Sequence, residues 1–139
     1  MNETAENHCQ AGRRGEEEAL RFLEGKGYRL KLKNYRFGRG EIDLVMEDPK
    51  GVLVFVEVKA NRSKTSGHPL ERIDGRKIRR IQRLAQRYCW ENRQEDRDIR
   101  FDVVGVDLSP GRSFLTAGED ILHIENAFLP DTNGYYPSR

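Results

Sequence analysis

The chain is short of cysteine, of long apolar runs and of net charge, and each shortage excludes something. Cys9 and Cys89 stand alone, in no Cys-x-x-Cys or Cys/His cluster, so neither a zinc site nor a disulfide framework is indicated. A reduced, cytoplasmic location is expected. No apolar run approaches the roughly 20 residues of a membrane-spanning helix, so no membrane partner is expected. Met1 to Gln10 are polar and partly acidic, without the apolar core of a secretory signal. Charged residues make up 35 % of the chain, yet the formal balance is only +2. Overall charge therefore points to no partner; its distribution has to carry that question. Internal repeats and low-complexity tracts are also lacking.

What remains is enough for one domain. A chain of 139 residues buries about two-thirds of the surface its unfolded form exposes. Residues 1–12 read as a flexible arm, 13–129 as the folded domain, and 130–139, rich in Pro, Gly, Asn and Ser, as a flexible tail. The spacing predicts a helix over Gly15 to Gly25, with Glu16, Ala19, Leu20 and Leu23 on one face. Tyr28 to Arg36 alternates as a strand with one wet face. Phe37-Gly38-Arg39-Gly40 is a turn, Glu41 to Glu47 a second strand, and Asp48-Pro49-Lys50-Gly51 a hairpin turn. Residues 60–72 read as a loop and Asp74 to Asn92 as a long helix. In that helix Ile78, Ile81, Ala85 and Tyr88 share one face. Ile99 to Leu108 and Ile121 to Phe128 complete the strands. The order α-β-β-β-α-β-β predicts a mixed sheet: a meander of three strands, a helical crossover to a parallel neighbour, and helices on both faces.

The strand Val52-Leu53-Val54-Phe55-Val56-Glu57-Val58-Lys59 is apolar nearly throughout, as a sheet's central strand is. It ends in a carboxylate and an ammonium on one face. Burying unpaired charge costs several kcal/mol per ion even after relaxation, so such an ending needs a reason. The hairpin turn at 48–51 sets Asp43 opposite Glu57 within about a residue. Glu41 and Asp43 share a face of their strand, with Ile42 and Leu44 on the other. Two carboxylates and a lysine thus converge, a set suited to Mg²⁺ or Mn²⁺ and to a phosphodiester. Lys59 has a role there, positioning the attacking water or stabilising developing charge. A plainer reading stands beside it: Glu-x-Lys occurs by chance in roughly one of two chains of this length, and the charges could be a strand-end ion pair. Glu16 points inward as a third candidate carboxylate, or favours its helix N-terminus.

From Lys59 to Arg87, ten basic residues face only Glu71 and Asp74. Arg76, Arg80, Arg83 and Arg87 form one stripe of the long helix, and Arg62, Lys64 and Lys77 lie close by in sequence. Such a stripe would hold phosphates without reading bases; the alternative is a solvated helix face. His68, in the loop, is a weaker candidate to assist.

Several short blocks resemble the YraN family: Gly15-Glu16 with Ala19, Gly27-Tyr28, Asn34, Gly40-Glu41-Ile42-Asp43-Leu44, Phe55-Val56-Glu57-Val58-Lys59, Lys77, Ala85, Phe101-Asp102-Val103-Val104 and Asn126-Ala127-Phe128. That bacterial family is related to PD-(D/E)xK nucleases, which share the restriction-endonuclease-like fold with archaeal Holliday-junction resolvases. The resemblance runs from about Gly12 to Phe128. It implies Asp43 and Glu57 as metal ligands, Lys59 as the catalytic lysine, Glu16 as the helix-borne acid and the Val58 carbonyl as a further ligand. Glu41 joins the catalytic candidates. Ile42 stands where the wider superfamily has proline. The function expected is a metal-dependent endonuclease acting on DNA, with branched or structured DNA as the candidate substrate and a homodimer as a candidate assembly. The alternatives are a DNA-binding module of little or no activity, or an adaptor whose charges are ion pairs. A glycosidase fits poorly, because it would leave Lys59 without a role. Ile99, Phe101 and the strand 121–128 are candidates for a dimer face or for core.

Overall fold

A computed structural model describes residues 3–61, 68–108 and 120–130. The elements are α1 (Glu3–Gly25), β1 (Arg29–Phe37), β2 (Gly40–Glu47), β3 (Leu53–Asn61), a short 3₁₀ turn (Pro69–Arg72), α2 (Gly75–Glu91), β4 (Ile99–Asp107) and β5 (Ile121–Phe128). The strands form one sheet in the order β1-β2-β3-β4-β5. Only β3 and β4 are parallel, and α2 connects them; the other neighbours are antiparallel.

Each face of the sheet has its own core. On one, Ala19 and Leu23 of α1 pack with Leu44, Met46, Val54, Val56, Val104 and Val106. On the other, Ile81, Leu84, Ala85, Tyr88 and Cys89 of α2 cover Ile42, Val45, Leu53, Phe55 and Phe101. β3 feeds both, which is why its sequence is apolar at consecutive positions. Phe101 is 1 % exposed and its ring stacks on Phe128 at 4.9 Å, so it belongs to the core and not to a dimer face. Cys89 is a free, buried thiol.

Two stretches differ from the sequence reading by more than a residue or two. α1 begins at Glu3, so residues 3–12 are helix and not a loose arm. They contain no proline and several good helix formers, but no apolar period to reveal them. The loop expected at 60–72 is shorter, because β3 continues to Asn61 and Pro69–Arg72 form a 3₁₀ turn. The tail beyond Pro130 lies outside the described residues. Among those that are described, no helix is long and apolar enough to cross a membrane.

On the α1 face, Asp102 is fully buried. Arg100 grips it through Nε at 2.8 Å and Nη2 at 2.9 Å, His123 Nε2 lies at 2.7 Å, and the Asn126 N–H donates at 3.0 Å. Arg100 also reaches Asp48 at 3.0 Å and the Tyr28 hydroxyl at 2.6 Å. A buried charge with this many donors is fully engaged. The network ties β4 to β5 and to the β2–β3 turn.

Candidate functional site

The site begins where β2 and β3 part. Their register runs Glu47↔Leu53 to Leu44↔Val56 and stops. Asp43 opposite Glu57 would be the next step. There the Asp43 carboxylate takes the place of a ladder carbonyl, its Oδ2 accepting the Val58 N–H at 2.7 Å. The alternation of β2 also breaks: Ile42 joins the α2-side core and Leu44 the α1-side core. Ile42 and Leu44 therefore do not share a face as the sequence reading had them. On β1, Asn34 lies between the pairs Lys33↔Leu44 and Tyr35↔Ile42 and adopts φ 52°. Asparagine tolerates this left-handed backbone better than most residues.

Carboxylate oxygens of Glu16, Glu41 and Asp43 lie within 4.8 Å of one another. Glu16 is carried in by α1, whose Gly15 lies against Ala60 of β3. The Asn34 side-chain amide donates to Glu16 Oε2 at 3.1 Å and to Glu41 Oε1 at 2.7 Å. Arg36 Nε is 3.4 Å from the other Glu41 oxygen. Burial, the charge of Glu57, and the charges of Glu16 and Glu41 push the Asp43 carboxyl up to about 8, against the opposing pull of the Val58 N–H.

Glu57 stands outside that trio. Its Oε1 is 2.7 Å from Lys77 Nζ and 3.3 Å from Lys59 Nζ. Burial and the neighbouring Lys77 lower the Lys59 pKa. Burial is the largest single influence on Lys77 and pulls its pKa down, but Glu57, Lys59 and Asp43 together outweigh it and the net shift is upward. Lys77 was expected among the phosphate contacts; it is paired with Glu57, because its place in the first turn of α2 turns it to the sheet. The signal was its one-residue offset from the arginine stripe.

Arg76, Arg80 and Arg83 are exposed along α2. Arg87 is not free as the stripe suggested. Its guanidinium lies 3.5 Å over the Phe37 ring, and its Nε is 2.7 Å from Glu91 Oε1, one turn on, though not aligned as a hydrogen bond. Arg62 and Lys64 lie outside the described residues. His68 Nδ1 accepts the Leu70 N–H at 3.2 Å. Asn34 was missed as a site residue; its place among the family-motif positions and a polar side chain at mid-strand were its visible marks.

A five-stranded mixed sheet with helices on its faces, split between β2 and β3, defines a restriction-endonuclease-like α/β domain. The description "Uncharacterised protein family UPF0102" matches residues 15–106. The chain belongs to this family, the YraN family of the sequence motifs. A UPF0102 protein of Chlorobium chlorochromatii is 42 % identical over 120 residues, spanning 86 % of this chain and 92 % of that one. UPF0102 protein STH1475 of Symbiobacterium thermophilum is 46 % identical over 101 residues, 73 % and 85 % of the two chains. Among solved structures, SfsA of Pyrococcus furiosus in complex with Ca²⁺ gives a TM-score of 0.31 at 16 % identity. That likeness covers 79 % of this chain and 58 % of SfsA, and is too distant to bear on chemistry.

Proposed function

We propose that this protein is a metal-dependent endonuclease that hydrolyses DNA phosphodiester bonds, with branched or structured DNA as its substrate. The observation that carries the reading is the meeting of the Glu16–Glu41–Asp43 trio with Glu57, Lys59 and Lys77 where two core strands part. A half-buried Asp43, pushed up to about 8 by burial and then by the like charges of Glu57, Glu16 and Glu41, is what a carboxylate cluster shows when its charge awaits a cation. Asp43, Glu41 and Glu16 would hold Mg²⁺ or Mn²⁺, with Glu57 beside them. The bound ion would acidify a water and neutralise phosphate charge. Asn34 keeps Glu16 and Glu41 oriented by donating to both. Lys59, partly buried and with a lowered pKa, is suited to orient the attacking water and to stabilise the developing negative charge. The exposed Arg76, Arg80 and Arg83 would hold flanking phosphates.

The alternative is a DNA-binding module without activity. One observation favours it: Glu57 is already neutralised by two lysines, which compete with its use as a ligand. The deciding experiment incubates the protein with linear and four-way-junction DNA, with Mg²⁺, Mn²⁺ or EDTA. Asp43→Ala, Lys59→Ala and a joint Arg80→Glu, Arg83→Glu variant run alongside. The expected result is metal-dependent cutting, lost with either site substitution. The double charge reversal should bind more weakly and with a flatter salt dependence. Binding without cutting under any metal would leave the module; cutting that survives both site substitutions would place the chemistry elsewhere.

A further inference from the structure

We propose that the β1–β2 hairpin tip is a stacking platform for an unpaired nucleobase, so that the enzyme selects DNA at a junction of duplex and single strand. This rests on the DNA reading above and adds what part of the substrate is read. Phe37 closes β1 and is 52 % exposed, whereas hairpin tips are normally polar. A large exposed ring needs a reason when it is also held still. Arg87 lies 3.5 Å over one face of it, and that arginine is itself within 2.7 Å of Glu91. The tip is fixed to α2 from below as well. A Cβ on Gly40 would come within 2.7 Å of Leu84 Cδ1 and 3.1 Å of Arg80 Cγ, so a larger residue there would have to push those two side chains aside.

A guanidinium stacked on one face of an aromatic ring leaves the ring's remaining surface for a second flat partner. Nucleobases stack on such rings whatever their identity. The surroundings favour nucleic acid over an apolar partner. Arg36 and Arg39 flank the ring in sequence and are exposed, as are Arg80 and Arg83 on the helix beneath.

The position ties the platform to the site. Phe37 pairs with Gly40, and Arg36 with Glu41. Asp43 is three residues further along β2, roughly 10 Å at the rise of a strand. At about 3.4 Å per nucleotide along one strand of a duplex, that separation along β2 spans about three nucleotides, with the Phe37 ring on the α2 face of the hairpin and the carboxylates on the α1 face. Inside an intact duplex no base face is open to a side chain, so the platform is used only where pairing ends.

The test uses metal-free protein in EDTA, so that binding is read without cutting. Probes are a forked duplex carrying 2-aminopurine at the branch and a blunt duplex of matched length. Wild type should prefer the fork about tenfold, within the usual worth of one stacked base, and quench the 2-aminopurine. Phe37→Ala and Phe37→Leu should lose the preference and the quenching; Phe37→Trp should restore both. A fork preference unchanged in Phe37→Ala, or no preference in wild type that binds duplex, overturns the platform while leaving DNA binding intact. Wild type that binds neither probe overturns the DNA reading and the platform with it. The ring is exposed, so thermal melting of the variants should match wild type.

Discussion

Asn34 shows how one residue can set a cluster of like charges. Glu16 and Glu41 come from different elements and repel each other. The Asn34 amide donates to both, at 3.1 and 2.7 Å, and it reaches them because its backbone turns left-handed at φ 52°. Backbone and side chain contribute separately, and two substitutions divide them. Asn34→Gly keeps the φ angle and removes the donors. It should cost about 1.5–3 kcal/mol, the worth of a hydrogen bond to a charged acceptor. Asn34→Ala removes the donors and also strains the backbone, costing about 1 kcal/mol more. Urea unfolding in EDTA ranks the three proteins. If alanine is as stable as glycine there, the left-handed backbone is not what the position requires. Titration with Mg²⁺ should show weaker binding in both variants, because the carboxylates lose their shared donor.

At the scale of elements, the site depends on how closely α1 approaches β3. A Cβ on Gly15 would lie 2.7 Å from the Ala60 Cβ. That neighbour is fixed to a strand and cannot swing away as the end of a long side chain could. Gly15→Ala gains about 1 kcal/mol of helix propensity, but overpacking costs about 1–3 kcal/mol. The expected net is a loss of about 1 kcal/mol and a melting point lower by roughly 3–5 °C. Glu16, the next residue, should be displaced and Mg²⁺ affinity should fall. Adding Ala60→Gly removes the clash, so the double mutant should be more stable than the sum of the single changes. Strict additivity would mean that the two elements do not meet there. Much of this arrangement was legible in the sequence. The apolar β3, the turn at 48–51 and the inward face of α1 follow from periodicity and turn chemistry, and they bring Asp43 and Glu57 to one region. What was hidden depends on departures from regularity. The parting of β2 from β3 at Asp43 turns Ile42 and Leu44 to opposite cores, and no two-residue period can announce that. Lys77 reads as part of a basic run, and only the packing of α2 on the sheet sends it to Glu57. Residues 3–12 are helical without an apolar stripe, so a search for stripes passes over them.

Across the whole molecule, two sets of carboxylates pull stability in opposite directions with pH. Asp102 is opposed by its burial but held below the ordinary range by His123, Arg100 and the Asn126 N–H. Glu47 is brought to about 2 by Arg97 and Arg29. A depressed folded pKa gives stability that is present above the unfolded value, about 4, and is lost as pH falls through the folded one. Asp43 behaves in reverse. Its folded pKa of about 8 lies above the unfolded value. The native state therefore keeps a proton that the unfolded chain releases, and stability declines as pH rises from about 4 to 8. The sum predicts greatest stability near pH 4–5 in EDTA, more acidic than is usual for a globular domain. A divalent cation binds the ionised trio, so its stabilisation should grow as pH rises and carry the maximum towards neutrality. Urea midpoints between pH 3 and 8, with EDTA and with Mg²⁺, measure both curves. Asp43→Asn keeps an acceptor for the Val58 N–H and removes the charge. It should abolish the decline above pH 4 and the response to Mg²⁺, while leaving the acid limb unchanged. A wild-type maximum at pH 7 in EDTA, or a neutral limb that Asp43→Asn does not alter, would mean that Asp43 is not the group whose charge the fold resists.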